Sequence, residues 1–170
     1  MKALPACITC IRSGFLCNRC EKNLESGKIT DFELDLAKFL VELEEAEEKF
    51  NYLRDISFYK ALDYEDVVIL VVGRGDKLKI TSDLIDLIKE TYEIDKLILV
   101  EKSNKPRPVI ESIIVPSKVI SLNEIFLATG DVEFKALLRQ SDRENFLFTK
   151  EELEDIILEL TGKTTRIEFQ

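Results

Sequence analysis

The chain contains no histidine and no tryptophan, and in its 170 residues there are one methionine, four prolines and six glycines. Without histidine there is no side chain whose ordinary pKa lies near neutrality, so the usual general base is missing. There is also no glycine-rich phosphate loop of the Walker or Rossmann kind. An enzyme is therefore not expected. The longest apolar run, Val67 to Val72, has the length of a strand and falls far below the ~20 residues that cross a bilayer. No apolar stretch precedes the first cysteine, so no signal peptide and no membrane association are expected, and the expected location is cytoplasmic.

What is present is a globular composition, 45% hydrophobic and 34% charged, with a formal net charge of −9. The charge is unevenly spread. Residues 1–30 hold five bases and two acids, residues 31–66 hold twelve acids and four bases, and residues 102–118 return to a net +3. An acidic total opposes free-standing affinity for phosphates. The central block reads either as a solvated helix face or as a surface that docks on a basic partner.

All four cysteines lie in one short segment, Cys7-Ile8-Thr9-Cys10 followed by Cys17-Asn18-Arg19-Cys20. A CxxC turn presents two thiolates from one knuckle, and two knuckles supply the four soft ligands of a closed tetrahedral zinc site. Disulfides are disfavoured in a reducing cytosol, and a redox dithiol does not come as a pair. The expected cofactor is Zn²⁺ on Cys7, Cys10, Cys17 and Cys20, in a structural role because no position is left open for water. The connector 11–16 is expected to form a hairpin that turns at Ser13-Gly14. Four thiolates on a dication carry −2, which reduces the +3 of residues 1–30 to about +1. Arg12, Arg19, Lys22 and Lys28 thus serve either as neutralising neighbours of the sulfurs or as nucleic-acid contacts.

After the cysteines, Thr30-Asp31-Phe32-Glu33 is a capping box. The helix it opens carries Phe32, Leu36, Phe39, Leu40, Leu43, Ala46 and Phe50 on one face. Strands are expected at 56–62 and 67–72, a helix at 82–93 capped by Thr81, and a strand at 97–100. The two prolines of residues 103–108 read as a linker. A short helix then fits 109–114, strands fit 118–122 or on to 127 and 132–138, and Thr149-Lys150-Glu151-Glu152 caps a helix that Gly162 ends. A last strand fits 165–169. The order helix, strand, strand, helix, strand therefore occurs twice, and residues 66–76 parallel 132–142 at a spacing of 66. The expected fold class is α+β. Residues 1–29 form a zinc knuckle, 30–102 a first unit with a long N-terminal helix, and 103–170 a second unit. The large apolar faces lie beyond residue 30, so that part is expected to fold without metal.

This frame resembles the KH domain in its prokaryotic arrangement. The tandem pair behind a CxxC-x6-CxxC segment is similar to small archaeal NusA-like and KH-domain proteins with an N-terminal four-cysteine knuckle. Phe58-Tyr59-Lys60-Ala61, residues 68–76 and residues 160–169 carry the likeness together with the cysteines. The resemblance implies two KH-like units of αββααβ type and a role with RNA in transcription or on the ribosome. The chain departs from it at the GxxG loop that clamps a nucleic-acid backbone, where it has Lys79-Ile80-Thr81-Ser82 and Phe148-Thr149-Lys150, all without glycine. The function expected is a non-enzymatic RNA-associated factor that binds RNA weakly by itself and acts within a larger complex, with RNA polymerase or the ribosome as partner. Its expected contacts are Arg12, Arg19, Lys22, Arg74, Lys77, Lys79, Lys102, Lys105 and Arg107. The other reading is a protein-interaction adaptor that docks on the same machinery without clamping RNA.

Overall fold

A computed structural model describes all of residues 1–170 and divides the chain into two compact units, Met1–Glu101 and Lys102–Gln170. Residues 1–29, read from sequence as a module of their own, belong to the first of these units.

The first unit begins with two short helices, α1 (Ile8–Ser13) and α2 (Asn18–Glu25), followed by the long α3 (Asp31–Ala46). Thr30 and Glu33 start α3 reciprocally. The Thr30 hydroxyl accepts from the Glu33 N–H at 3.2 Å, and the Glu33 carboxylate accepts from the Thr30 N–H at 2.9 Å. The helix then buries Leu36, Ala37, Leu40, Val41 and Leu43 along one face. It stops at Ala46, because Glu47 is extended, and a 3₁₀ segment over Glu48–Asp55 carries Phe50 and Leu53 back into the core. Phe50, expected on the α3 face, reaches the same core from outside the helix.

Three strands complete the unit: β1 (Phe58–Tyr64), β2 (Val67–Val72) and β3 (Lys96–Glu101), with α4 (Ser82–Tyr92) between β2 and β3. The central strand β2 pairs antiparallel with β1 and parallel with β3. Val68 to Val72 are all buried, as a central strand with no polar residue requires. The core is continuous from the cysteine segment to the sheet, since Ala6, Cys10, Ile11, Cys20 and Ile29 share one cluster with Leu36, Leu40, Phe58, Val68 and Leu70. Thr81 precedes α4 but does not cap it with its side chain. Its hydroxyl pairs instead with Tyr52 at 3.0 Å, so the expected cap is replaced by a tertiary contact.

The second unit repeats the order. It contains α5 (Pro106–Ile113), β4 (Ser121–Phe126), β5 (Val132–Leu138), α6 (Lys150–Thr161) and β6 (Thr165–Phe169). Its central β5 pairs antiparallel with β4 and parallel with β6. The prolines expected to mark a linker open α5 instead. Pro106 takes the first helical position, and in the first turn the N–H that proline lacks has no intrahelical partner to lose. Thr149 and Glu152 form the second capping box, and Gly162 ends α6 in the left-handed conformation at φ 67°. In each unit the segment before the last helix is a short 3₁₀ turn, Lys77–Lys79 or Gln140–Asn145, where αββααβ would place a full helix.

Candidate metal centre

The expected hairpin between the two cysteine pairs is absent, and each CxxC opens a helix instead. Cys7 occupies the N-cap position of α1 and Cys17 that of α2, while Cys10 and Cys20 fall in the first turns that follow. Gly14 ends α1 in the left-handed region at φ 73°, which a residue with a Cβ adopts only under strain, and this sharp stop turns the chain towards Cys17. Sequence spacing identified the pairs but not this geometry, because a six-residue connector suits a tight turn and a helical exit equally well.

The four Sγ atoms lie within 4.8 Å of one another. Cys10 and Cys20 are buried, whereas Cys7 and Cys17 are exposed. The Cys7 and Cys20 sulfurs are 3.9 Å apart and those of Cys7 and Cys10 are 2.9 Å apart. A tetrahedron with metal–sulfur bonds of about 2.3 Å has edges of about 3.8 Å, which the separations of 2.9 Å to at most 4.8 Å bracket, so the cluster is compatible with a metal site. The Cys17 N–H donates to the Cys10 sulfur at 3.2 Å, a main-chain bond of the kind that orients a ligand.

The local field favours thiolates at the two cap positions. Cys17 is held down to about 6, first by the N–H of Cys20 and then by the side chains of Cys10 and Cys20 and the N–H of Arg19. Cys7 is also lowered, chiefly by the side-chain bond it shares with Cys10. Cys10 is correspondingly pushed up to about 12 by its bond to Cys7. Cys20 is raised as well, so the two exposed sulfurs lean towards the thiolate and the two buried ones away from it, and a bound dication would draw all four to the thiolate form. The donor set fits a metal ion, and none of its four positions is left for water.

The structure sorts the basic residues expected at a nucleic-acid surface. Arg12 is paired with Glu45 of α3. The Lys79 ammonium lies 2.7 Å from the buried Asp76 carboxylate, whose other oxygen accepts from the Ser57 N–H at 2.9 Å. Arg107 donates to the Val119 carbonyl at 2.7 Å and pairs with Glu111 at 3.2 Å. These three cations hold their own units together. Arg74, Lys102 and Lys105 are exposed and Lys77 is half-buried. Gly73 lies beside Asp76, where an added Cβ would stand 2.3 Å from the carboxylate oxygen. This glycine therefore serves packing, and not phosphate approach.

Arg19 and Lys22 are brought together on α2, where they line a shallow concavity with Asn18, Asn23, Ser26 and Lys28. The acids of that helix, Glu21 and Glu25, do not line it. In the loop before α2, the Phe15 side chain is 83% exposed. Its N–H donates to the Ser13 hydroxyl at 3.2 Å, which shapes the turn that leaves the ring outside. Sequence reasoning missed Phe15, and the only available signal was an aromatic residue placed beside a glycine in a polar turn.

No family model matches the sequence, and no curated protein matches it. A solved structure described as the crystal structure of APE1850 is similar to this chain, covering 72% of it and 93% of the other chain, with a TM-score of 0.51 and 16% identity. At that identity the likeness is one of fold, and the four-cysteine centre stands on its own geometry.

Proposed function

We propose that Cys7, Cys10, Cys17 and Cys20 hold one structural Zn²⁺, and that the chain is a non-enzymatic RNA-associated factor of transcription or translation. It binds RNA weakly by itself and works as part of a larger complex, with RNA polymerase or the ribosome as the assembly it joins. The observation that carries this reading is the basic, amide-lined face of α2 next to the metal cluster, with the exposed Phe15 ring before it. A cationic surface with an aromatic platform is what a single strand needs, since phosphates take the charge and an unpaired base stacks on the ring. The repeated order of elements, each sheet having one antiparallel and one parallel pair, supports a KH-like frame. The loops at 79–82 and 148–150 contain Ile80, Thr81, Phe148 and Thr149 in place of glycines, which supports weak binding.

The test is fluorescence anisotropy with single-stranded RNA on metal-loaded protein. Dissociation constants of about 10⁻⁴–10⁻⁶ M with a steep salt dependence are expected. Arg19→Glu with Lys22→Glu abolishes binding, Phe15→Ala weakens it by about tenfold, and Thr81→Ala leaves it unchanged. Nanomolar affinity for one RNA sequence contradicts the weak-binding reading. Absence of RNA binding, combined with co-purification of ribosomes or polymerase, favours the adaptor, a reading that the net charge of −9 supports. One zinc per chain, with no visible absorption, distinguishes zinc from iron in the same sulfur set.

A further inference from the structure

The lining of the concavity on α2 is wholly polar, and its charges are of one sign. Along this eight-residue helix Cys20 and Leu24 turn towards the core, and Glu21 and Glu25 fall on one flank. Asn18, Arg19, Lys22, Asn23 and Ser26 occupy the other. A third cation arrives from outside the helix. Gly27 reverses the chain in the left-handed region at φ 70°, and the Asn23 carbonyl accepts from the Lys28 N–H at 2.9 Å and from the Ile29 N–H at 3.3 Å. That turn folds Lys28 back against the basic flank, where it completes the lining. Arg19, Lys22 and Lys28 are exposed and enter no ion pair. The bases on either side of them in the chain are engaged, Arg12 by Glu45 and Lys38 by Glu42, so the free positive charge of this segment is confined to the concavity. Converging cations with no acid among them repel one another, and an anion relieves that repulsion.

We propose that this concavity takes the terminal phosphate monoester of a single-stranded RNA, so that the chain prefers a phosphorylated strand end to the interior of a strand. The inference rests on the RNA reading given above and names the part of the strand that α2 holds. Charge selects it first. An internal phosphodiester carries one charge and two free oxygens, whereas a terminal monoester carries close to two charges at neutral pH and three acceptor oxygens. Three cations and the side-chain amides of Asn18 and Asn23 match the second. The Ser26 hydroxyl adds no donor, because it is committed to the Asn23 carbonyl at 3.2 Å. Length selects it next. Eight helical residues rise by about 12 Å, and Lys28 folds back onto them, so the lining does not extend into a groove for a long run of nucleotides. The lining also contains no apolar or aromatic side chain, so it receives a phosphate and no base. Stacking is left to the Phe15 ring in the turn before α2. No cysteine lines the concavity either, so the negative charge of a metal–thiolate centre lies outside it.

Competition of unlabelled RNA octamers of one sequence against a labelled octamer, on the full metal-loaded chain, tests this. The octamers carry a 5′-phosphate, a 3′-phosphate, or hydroxyls at both ends. A phosphorylated form is expected to bind at least ~10-fold more tightly than the hydroxyl form, and the form that does so identifies the strand end. Lys28→Ala and Arg19→Ala each remove an exposed, unpaired side chain, so the fold is kept while the preference falls to ~3-fold or less. Phe15→Ala weakens all three octamers by the same factor and leaves the preference unchanged. Equal binding of the three octamers overturns the inference and leaves weak RNA binding standing. A preference that survives both Lys28→Ala and Arg19→Ala also overturns it, since the phosphate is then held elsewhere. Absence of binding by every octamer overturns the RNA reading and this inference with it.

Discussion

In Met1–Glu101 the three-stranded sheet is covered by a sixteen-residue helix and its first strand is closed at the edge by residues 2–3 and by Glu33. In Lys102–Gln170 the same order of elements carries an eight-residue α5 in the corresponding place, and β4 is left open with four of its six residues exposed. The units share a strand pattern and differ in what surrounds it. The first also draws the cysteine segment into its core, through Cys10, Cys20, Ala6, Ile11 and Ile29. Sequence order sets which strands pair, while the length of the preceding helix and the chain before it decide whether a sheet is finished.

The largest expected effect comes from removing the metal. Chelation, or Cys20→Ser, should raise amide exchange by ~100-fold or more through residues 1–46, because the cysteine segment and α3 bury one another. Exchange in residues 102–170 should stay unchanged. Hydrogen exchange followed by mass spectrometry reads this directly. Loosening confined to residues 1–25 would mean that α3 and the sheet are self-sufficient, as the distribution of apolar residues along the sequence suggests.

A smaller effect separates the two guarding carboxylates. Glu33 is 1% exposed and serves both the α3 cap and the Ala61 N–H. Glu33→Ala removes the cap and leaves a buried donor without its partner, a loss of about 3 kcal/mol in the first unit. Glu154 accepts from the Ile167 N–H at 2.7 Å on β6. Glu154→Ala frees that one N–H on a strand closer to water and should cost about 1 kcal/mol in the second unit. Denaturant melts of the two variants check the difference, and equal losses would show that the two carboxylates are equivalent guards.

The smallest effect is a pH dependence of the first unit. Burial raises the Asp76 carboxyl, but the Lys79 side chain and the Ser57 N–H outweigh that and hold it below the usual carboxylate value. With the folded value below the unfolded one of about 3.9, the stability is fully present above pH ~4. It is lost as the pH falls through the folded value, because the unfolded chain takes the proton first. Asp76→Asn should therefore cost about 1–2 kcal/mol at neutral pH and flatten the acid limb of the stability curve. Thermal melts of the two proteins from pH 3 to pH 7 provide the check, and parallel curves would exclude the group.

Much of the local structure was legible because it depends on neighbours in the chain. The two capping boxes at Thr30 and Thr149, the apolar run Val67–Val72 and the turn at Gly162 each involve residues within a few positions of one another. Thr81 shows the limit of that logic. It has the right residue type before α4, but Tyr52, far back in sequence, takes its hydroxyl. Pro106 shows the opposite error, since proline breaks a helix interior but suits a helix start, and only the placement of Val109, Ile110 and Ile113 in the core reveals which applies. Lys79 and Arg107 could not be told from solvated bases by sequence, because Asp76 had first to be buried and Val119 brought back to α5.

The sequence by itself determined the four-cysteine set, since two CxxC knuckles need only their spacing to bring thiolates together. It also determined the repeated order of helices and strands, which follows from capping residues and apolar periodicity. The tertiary structure decided that each knuckle opens a helix, that the cysteine segment belongs to the first core, and which cations are already engaged. It also decided that β1 is covered while β4 is bare. These outcomes depend on burial and on partners distant in the chain, and a hydrogen bond or ion pair between such groups exists only once the core has placed them together.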